Sequence, residues 1–148
     1  MVCKNLTKPY CSPTFSQARK VSDDIYKAIK ESNLVQSYNR SNYELILNNG
    51  SKMLFRSTER EQNLRGYSCD YIFCDEAAYF SNNVYDEILR PMILVKGKKL
   101  IMASTPKNKN FFYTLHQRGL SDEYPSYATI QASSYENTLI SQEEVLEA

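Results

Sequence analysis

The 148 residues include no tryptophan and a single histidine, His116, and the four cysteines (Cys3, Cys11, Cys69 and Cys74) show no CxxC spacing. Zinc sites are assembled from paired Cys and His ligands, so this composition argues against one. It argues equally against a disulfide scaffold and for a reducing compartment. Glycine is scarce. None of Gly50, Gly66, Gly97 and Gly119 precedes a Lys-Ser or Lys-Thr, so no GxxxxGK[ST] phosphate loop occurs. Eighteen basic residues against seventeen acidic leave a net charge of +1, without the global basic field of a protein that coats nucleic acid. Long apolar runs are missing too, including from the opening MVCKNLTKPY. Neither a membrane span nor a signal peptide is expected, and the chain reads as soluble and intracellular.

What is present suffices for one core. Leu, Ile, Val and Phe total 34, above the range that signals disorder, and the length is that of one ordinary domain, 1–148. Twelve tyrosines suggest half-buried rings with wet hydroxyls and no particular site. The organising stretch is Tyr71 to Ala78, YIFCDEAA. A short apolar run, Tyr71 to Cys74, fits a strand buried on both faces of a parallel sheet. It runs straight into Asp75 and Glu76. Ligands of open α/β sheets bind beyond the carboxyl ends of the strands, and two carboxylates there suit metal-assisted phosphoryl transfer. The plainer alternative is an acidic helix N-terminus, where carboxylates favour the macrodipole.

In chain order, Tyr10 to Thr14 reads as a strand breaking at Pro13. A helix follows from Phe15 to Ser32, its apolar positions recurring at three- and four-residue steps, with Thr14 or Ser16 as cap. Leu34 to Tyr38 is a short strand. Tyr43 to Leu47 and Lys52 to Arg56 flank Asn49-Gly50, which predicts a hairpin with a type I′ turn. Val84 to Leu89 predicts a short helix ending before Pro91. Lys96 to Lys99 reads as a solvated turn and Leu100 to Ala103 as a second buried strand. Asn110 to Arg118 predicts a helix capped by Gly119, Tyr127 to Ala132 a last strand, and Ser141 to Ala148 a helix whose capping box pairs Ser141 with Glu144.

Strands alternating with helices indicate α/β with a mainly parallel sheet. Asp75 and Thr105 are separated by the length of one βαβ unit. Parallel strands joined by a right-handed crossover bring their carboxyl ends to one edge, so Asp75, Glu76, Ser104 and Thr105 are expected at one crevice. The alternative for Ser104-Thr105-Pro106 is a strand stop set by the proline.

These landmarks together carry a resemblance. NLRGYSCDYIFCDEAAYF followed by KKLIMASTPKNKNFFYTLHQRG resembles the ATPase domain of the large subunit of bacteriophage terminases, the DNA-packaging motors. The family pattern is met by Arg65-Gly66, Asp70, a Walker B strand from Tyr71 to Glu76, a coupling motif at Ser104 to Pro106, and Asn110-Phe111. SPTFSQAR, NNGSKMLFRS and SSYENTLIS resemble flanking parts of the same domain. The resemblance implies a RecA-like P-loop NTPase fold carrying a β-hairpin. It also implies Mg²⁺ and ATP as cofactors in the complete protein, Asp75 on the metal, Glu76 as the catalytic group polarising water, and Ser104, Thr105 and Pro106 as nucleotide-sensing and coupling residues. Arg65 is then a contact to nucleotide or a neighbouring subunit, or else an ion-pair residue.

Expected partners are double-stranded DNA, the small subunit and the portal protein, with self-association or a missing N-terminal segment as further contacts, in the cytoplasm of an infected or lysogenic bacterium. Against the family pattern, the phosphate loop and the nuclease domain are absent from the sequence, and Asn108 stands where glycine is usual. The expectation is therefore a partial ATPase domain, inactive alone and short of a strand inside its sheet. Two alternatives stand beside it: a superfamily 2 helicase fragment, which would carry Ser-Ala-Thr where this chain has Ser-Thr-Pro, and a non-enzymatic remnant or assembly module of the same fold.

Overall fold

The computed structural model describes residues 5–136. The helix expected from Ser141 and the residue Cys3 lie outside them. The chain divides into two compact units, the first running through Tyr113 and the second from Thr114.

The first unit is built on one six-stranded sheet of order β2-β3-β4-β1-β5-β6. Its strands are β1 (Thr7–Ser12), β2 (Val35–Asn39), β3 (Glu44–Leu47), β4 (Lys52–Ser57), β5 (Tyr71–Cys74) and β6 (Lys99–Met102). β4, β1, β5 and β6 run parallel, while β2 and β3 join antiparallel. The α/β expectation holds, and β5 forms over the residues its apolar run predicts.

Helix α1 (Phe15–Ile29) starts where Pro13 breaks β1. Thr14 caps it reciprocally: its hydroxyl accepts the Gln17 N–H at 3.3 Å while Gln17 Oε1 accepts the Thr14 N–H at 3.1 Å. The helix stops three residues short of the predicted Ser32, because the N–H and hydroxyl of Ser32 both donate to the Ile29 carbonyl. A side chain that bonds the backbone locally replaces the next helical turn. α1 lies on β4 and β1 and buries Ala18 with Leu45 and Phe55.

The β3–β4 hairpin forms, with a different turn. Only Gly50 has positive φ, +79°, and its N–H donates to the Leu47 carbonyl at 2.8 Å. The type I′ expectation is corrected: type I′ would need Asn49 at positive φ as well, and the longer loop spares Asn49 that cost.

The opposite face of the sheet is covered by one continuous helix made of α2 (Asn82–Val84), a π turn (Tyr85–Leu89) and α3 (Arg90–Leu94). Pro91 does not end it. The Arg90 N–H reaches back five residues to the Tyr85 carbonyl. This wide turn gives the proline ring room that a regular α-turn denies it. Val84, Ile88, Leu89 and Met92 pack from this helix onto Ile72 and Cys74.

β5 is therefore sealed on one face only. Ile72 and Cys74 are buried, whereas Tyr71 and Phe73 are half-buried, and Ile101 of β6 is 44% exposed. The expectation of a strand buried on both faces is corrected, because α1 reaches no further than β4 and β1.

Helix α4 (Phe111–Leu120) continues through Gly119 instead of ending there. A Cβ on Gly119 would stand 2.9 Å from the backbone of Ala128 and Thr129, so close approach, not capping, requires the glycine. Residues 127–132 form no strand. Alternation alone does not make a strand without a ladder partner. Within this second unit the His116 ring nitrogen Nδ1 lies 2.6 Å from the Thr129 hydroxyl.

Candidate functional site

Parallel pairing delivers the ends of β1, β5 and β6 to one edge of the sheet, and chemistry-bearing residues follow each strand. Backbone bonds lock the three ends together. The Asp75 N–H donates to the Cys11 carbonyl at 2.8 Å, Ala103 N–H to Cys74 at 2.9 Å and Ala77 N–H to Ala103 at 3.1 Å. Glu76 turns the chain here in the left-handed region, φ 51° and ψ 41°. For a residue with a side chain that conformation costs on the order of 1–3 kcal/mol and is found mostly at functional sites.

The turn sends the two carboxylates to opposite neighbours. Asp75 Oδ2 accepts the Tyr10 hydroxyl of β1 at 2.7 Å, and Asp75 Oδ1 accepts the Glu76 N–H at 3.1 Å. Glu76 Oε2 accepts the Ser104 hydroxyl, just past β6, at 3.2 Å. Thr105 and Pro106 follow Ser104 and are exposed. Asn110 ties the next segment down: its amide donates to the Ala78 carbonyl at 2.7 Å, and its Oδ1 accepts the Tyr113 N–H at 3.1 Å as the cap of α4. Asn108 takes positive φ, 55°.

Arg65 is not brought to these carboxylates by any bond in the structure. It is exposed and pairs with Glu87 at 3.1 Å, the ion-pair alternative of the sequence reading. Asp70 lies at the other edge, where it accepts the Thr7 N–H at 2.8 Å and faces Lys96 at 3.5 Å. A groove of about 740 Å³ lies to the side, between the hairpin and the start of α1. Phe15, Tyr43, Arg56, Glu59, Arg60 and Tyr67 line it.

Tyr10 is the site residue that sequence reading missed. Its one available signal was its place two residues before Ser12 on a strand bound for the same edge.

The donor set fits a hard cation. An ionised carboxylate has about four lone-pair sites, and Asp75 uses one on each oxygen, leaving acceptor capacity on both. Mg²⁺ is held by one or two carboxylates with waters and phosphates completing the octahedron. Among the described residues no group of three His, Cys, Asp or Glu is gathered for a tighter metal cage.

Three buried free thiols accompany β5, Cys11 and Cys74 just beneath this edge and Cys69 before the strand begins. Burial first, and the neighbouring Cys11 second, push the Cys69 thiol up from 9.0 to about 11. Burial and a hydrogen bond with Cys11 hold the Cys74 thiol well above its ordinary value. Burial and the Asp75 carboxylate raise the Tyr10 phenol. Each group is neutral when protonated and holds its proton more tightly in the folded state, so the stability it contributes is complete below its ordinary pKa and is lost as pH rises through the folded value. We expect urea midpoints to be flat up to about pH 8.5 and to fall between about pH 9 and 11, with a shallower fall for Cys69→Ala. A flat profile through that range would contradict this account of the buried thiols.

The family described as "Terminase large subunit, T4likevirus-type, N-terminal" matches residues 5–145. The large subunit of the terminase of Escherichia phage T5 is 28% identical over 129 residues, covering 85% of this chain and 30% of that protein. The chain spans about a fifth to a third of the length of the curated relatives it matches. Among solved structures, the large-terminase ATPase domain of Thermus phage P74-26 superposes with a TM-score of 0.65 at 22% identity, over 88% of this chain and 61% of that one. The large terminase of another thermophilic bacteriophage, solved in complex with ADP, gives 0.69 at 13% identity, over 96% and 36%. The fold is thus that of terminase ATPase domains, RecA-like, with a mixed and mostly parallel sheet. The match decides against the superfamily 2 helicase alternative. A carboxylate pair just past one parallel strand, a hydroxyl bonded to it just past the next, and a family match over nearly every residue lead to one conclusion: this chain belongs to the terminase large-subunit family, in its N-terminal, ATPase-domain part.

Proposed function

We propose that this chain supplies the Walker B and coupling half of the ATPase that drives double-stranded DNA into proheads, working with the terminase small subunit and the portal protein. One observation carries the reading: Asp75 and Glu76 at the end of β5 are aimed apart, one held by β1 and the other by the segment after β6. Divided in this way, Asp75 would hold a divalent cation, and Glu76 would accept the proton of an attacking water. The chemistry that Mg²⁺ supplies when bound is charge neutralisation at the nucleotide phosphates. The Ser104 hydroxyl rests on Glu76, so a change at that carboxylate is felt first at Ser104 and then at Thr105 and Pro106. That sequence is how hydrolysis would couple to motion. The thermophilic-phage terminase solved with ADP is the nucleotide-bound neighbour that supports the class of ligand.

The 148 residues contain no GxxxxGK[ST], and in such sites catalysis is mostly positioning and electrostatic stabilisation of the phosphates. The chain alone is therefore expected to turn over ATP no faster than its Asp75→Asn, Glu76→Gln double variant. Turnover above that control would refute the dependence on a phosphate loop. The proposal itself is tested by joining the chain behind the phosphate-loop segment of a relative and titrating nucleotide with and without Mg²⁺. The joined protein should show Mg²⁺-dependent binding that Asp75→Asn removes, and binding indifferent to that substitution would sink the assignment of Asp75.

A further inference from the structure

We propose that Tyr10 is a positioning residue for Asp75, setting the direction from which that carboxylate meets a divalent cation. The inference rests on the reading of Asp75 given above. Tyr10 stands in register with Phe73 on the neighbouring parallel strand, so both side chains leave the same face of the sheet. Asp75 is two residues beyond Phe73, about 6.6 Å along a strand, and the phenol spans that gap to end 2.7 Å from Oδ2. The ring is not free to swing. It lies against Phe55, with centroids 5.9 Å apart, and Phe55 is fully buried.

Asp75 is thereby held at three points. Its own N–H is bonded to Cys11 at 2.8 Å, Oδ1 receives the Glu76 N–H at 3.1 Å, and Oδ2 receives the phenol. The first two bonds are local or backbone bonds that any residue type at position 10 would leave in place. The phenol alone fixes the rotation of the carboxylate from outside the turn, through a charge-assisted bond, the stronger kind. Outer partners of this sort orient a metal ligand, and losing one typically costs roughly 10–100-fold in metal affinity. Tyr10 does this without touching the cation.

The test uses Mn²⁺ with ATP as the probe, read by water-proton relaxation enhancement on the 148-residue chain joined behind the phosphate-loop segment of a relative, as above. Tyr10→Phe keeps the ring against Phe55, and its urea midpoint verifies the fold. Tyr38→Phe is the control, because it removes a phenol that bonds Ser22 and Asp23 instead. Asp75→Asn should abolish the Mn²⁺ site, Tyr10→Phe should weaken it by roughly tenfold or more, and Tyr38→Phe should leave it within about twofold. Asp75-dependent binding that Tyr10→Phe leaves unchanged or tightens overturns the role of Tyr10 alone. Equal weakening by both phenylalanine variants overturns it as well, since the loss would then be general. An unsubstituted joined protein without Asp75-dependent binding overturns the metal assignment and this inference together.

Discussion

Glu76→Gln, in a protein where this chain is joined to a phosphate loop, is expected to lower ATP turnover by roughly 10²–10⁴-fold, the usual worth of a positioned general base, with nucleotide affinity nearly unchanged. The substitution is close to a pure loss of the proton acceptor. Glutamine has the same length, its amide oxygen can still accept the Ser104 hydroxyl now 3.2 Å from Glu76, and the left-handed backbone at position 76 is asked to hold a side chain in either case. Asp75→Asn should behave in the opposite way, striking Mg²⁺-dependent binding first. Steady-state turnover and nucleotide titration on the same preparations separate the two. A fall of less than about tenfold for Glu76→Gln would mean that the water is oriented elsewhere, and Glu76 would then be left as a structural partner of Ser104.

Phe55→Ala should cost about 3–5 kcal/mol, a large share of the roughly 5–15 kcal/mol typical of a domain, and lower Tm by roughly 10 °C. Phe55 is fully buried between β4 and α1, with Ala18 and Leu45 around it. The same truncation at Ile101→Ala should cost well under half as much, because that side chain is 44% exposed on the half-open face and little apolar surface leaves water there on folding. Because the Tyr10 ring rests on Phe55, the larger substitution should also loosen the Asp75 carboxylate. Thermal unfolding of the two variants at matched concentration checks the ranking. Equal shifts would show that the α1 side of the sheet is not the principal core.

Local chemistry in the chain was enough for much of this. The run YIFC determined β5 residue for residue, because four apolar residues between polar stretches have few ways to leave water. The start of α1 at Phe15 was legible from the helical period and a cap at Thr14 or Ser16, and the structure chooses Thr14, paired with Gln17. Asn108 takes the left-handed region at the position where the resembled family usually has glycine, a replacement that asparagine tolerates. The parallel arrangement, and with it the shared edge for Asp75, Glu76 and Ser104, followed from the crossover interval.

Tertiary structure alone decided the rest. Tyr10 meets Asp75 across 65 residues of chain, and Arg65 meets Glu87 across 22. Such pairs depend on strand order and register, which the packing of the whole sheet sets. Pro91 sits inside a helix because Val84, Ile88, Leu89 and Met92 bury one face of it on β5. That burial outweighs the lost hydrogen bond, and a π turn absorbs the ring. Gly119 is a glycine because a second backbone lies against it, which no signal within its own helix announces. The half-open face of β5 has the same origin: apolar residues state a preference for burial, but how far α1 extends over the sheet decides which of them obtain it.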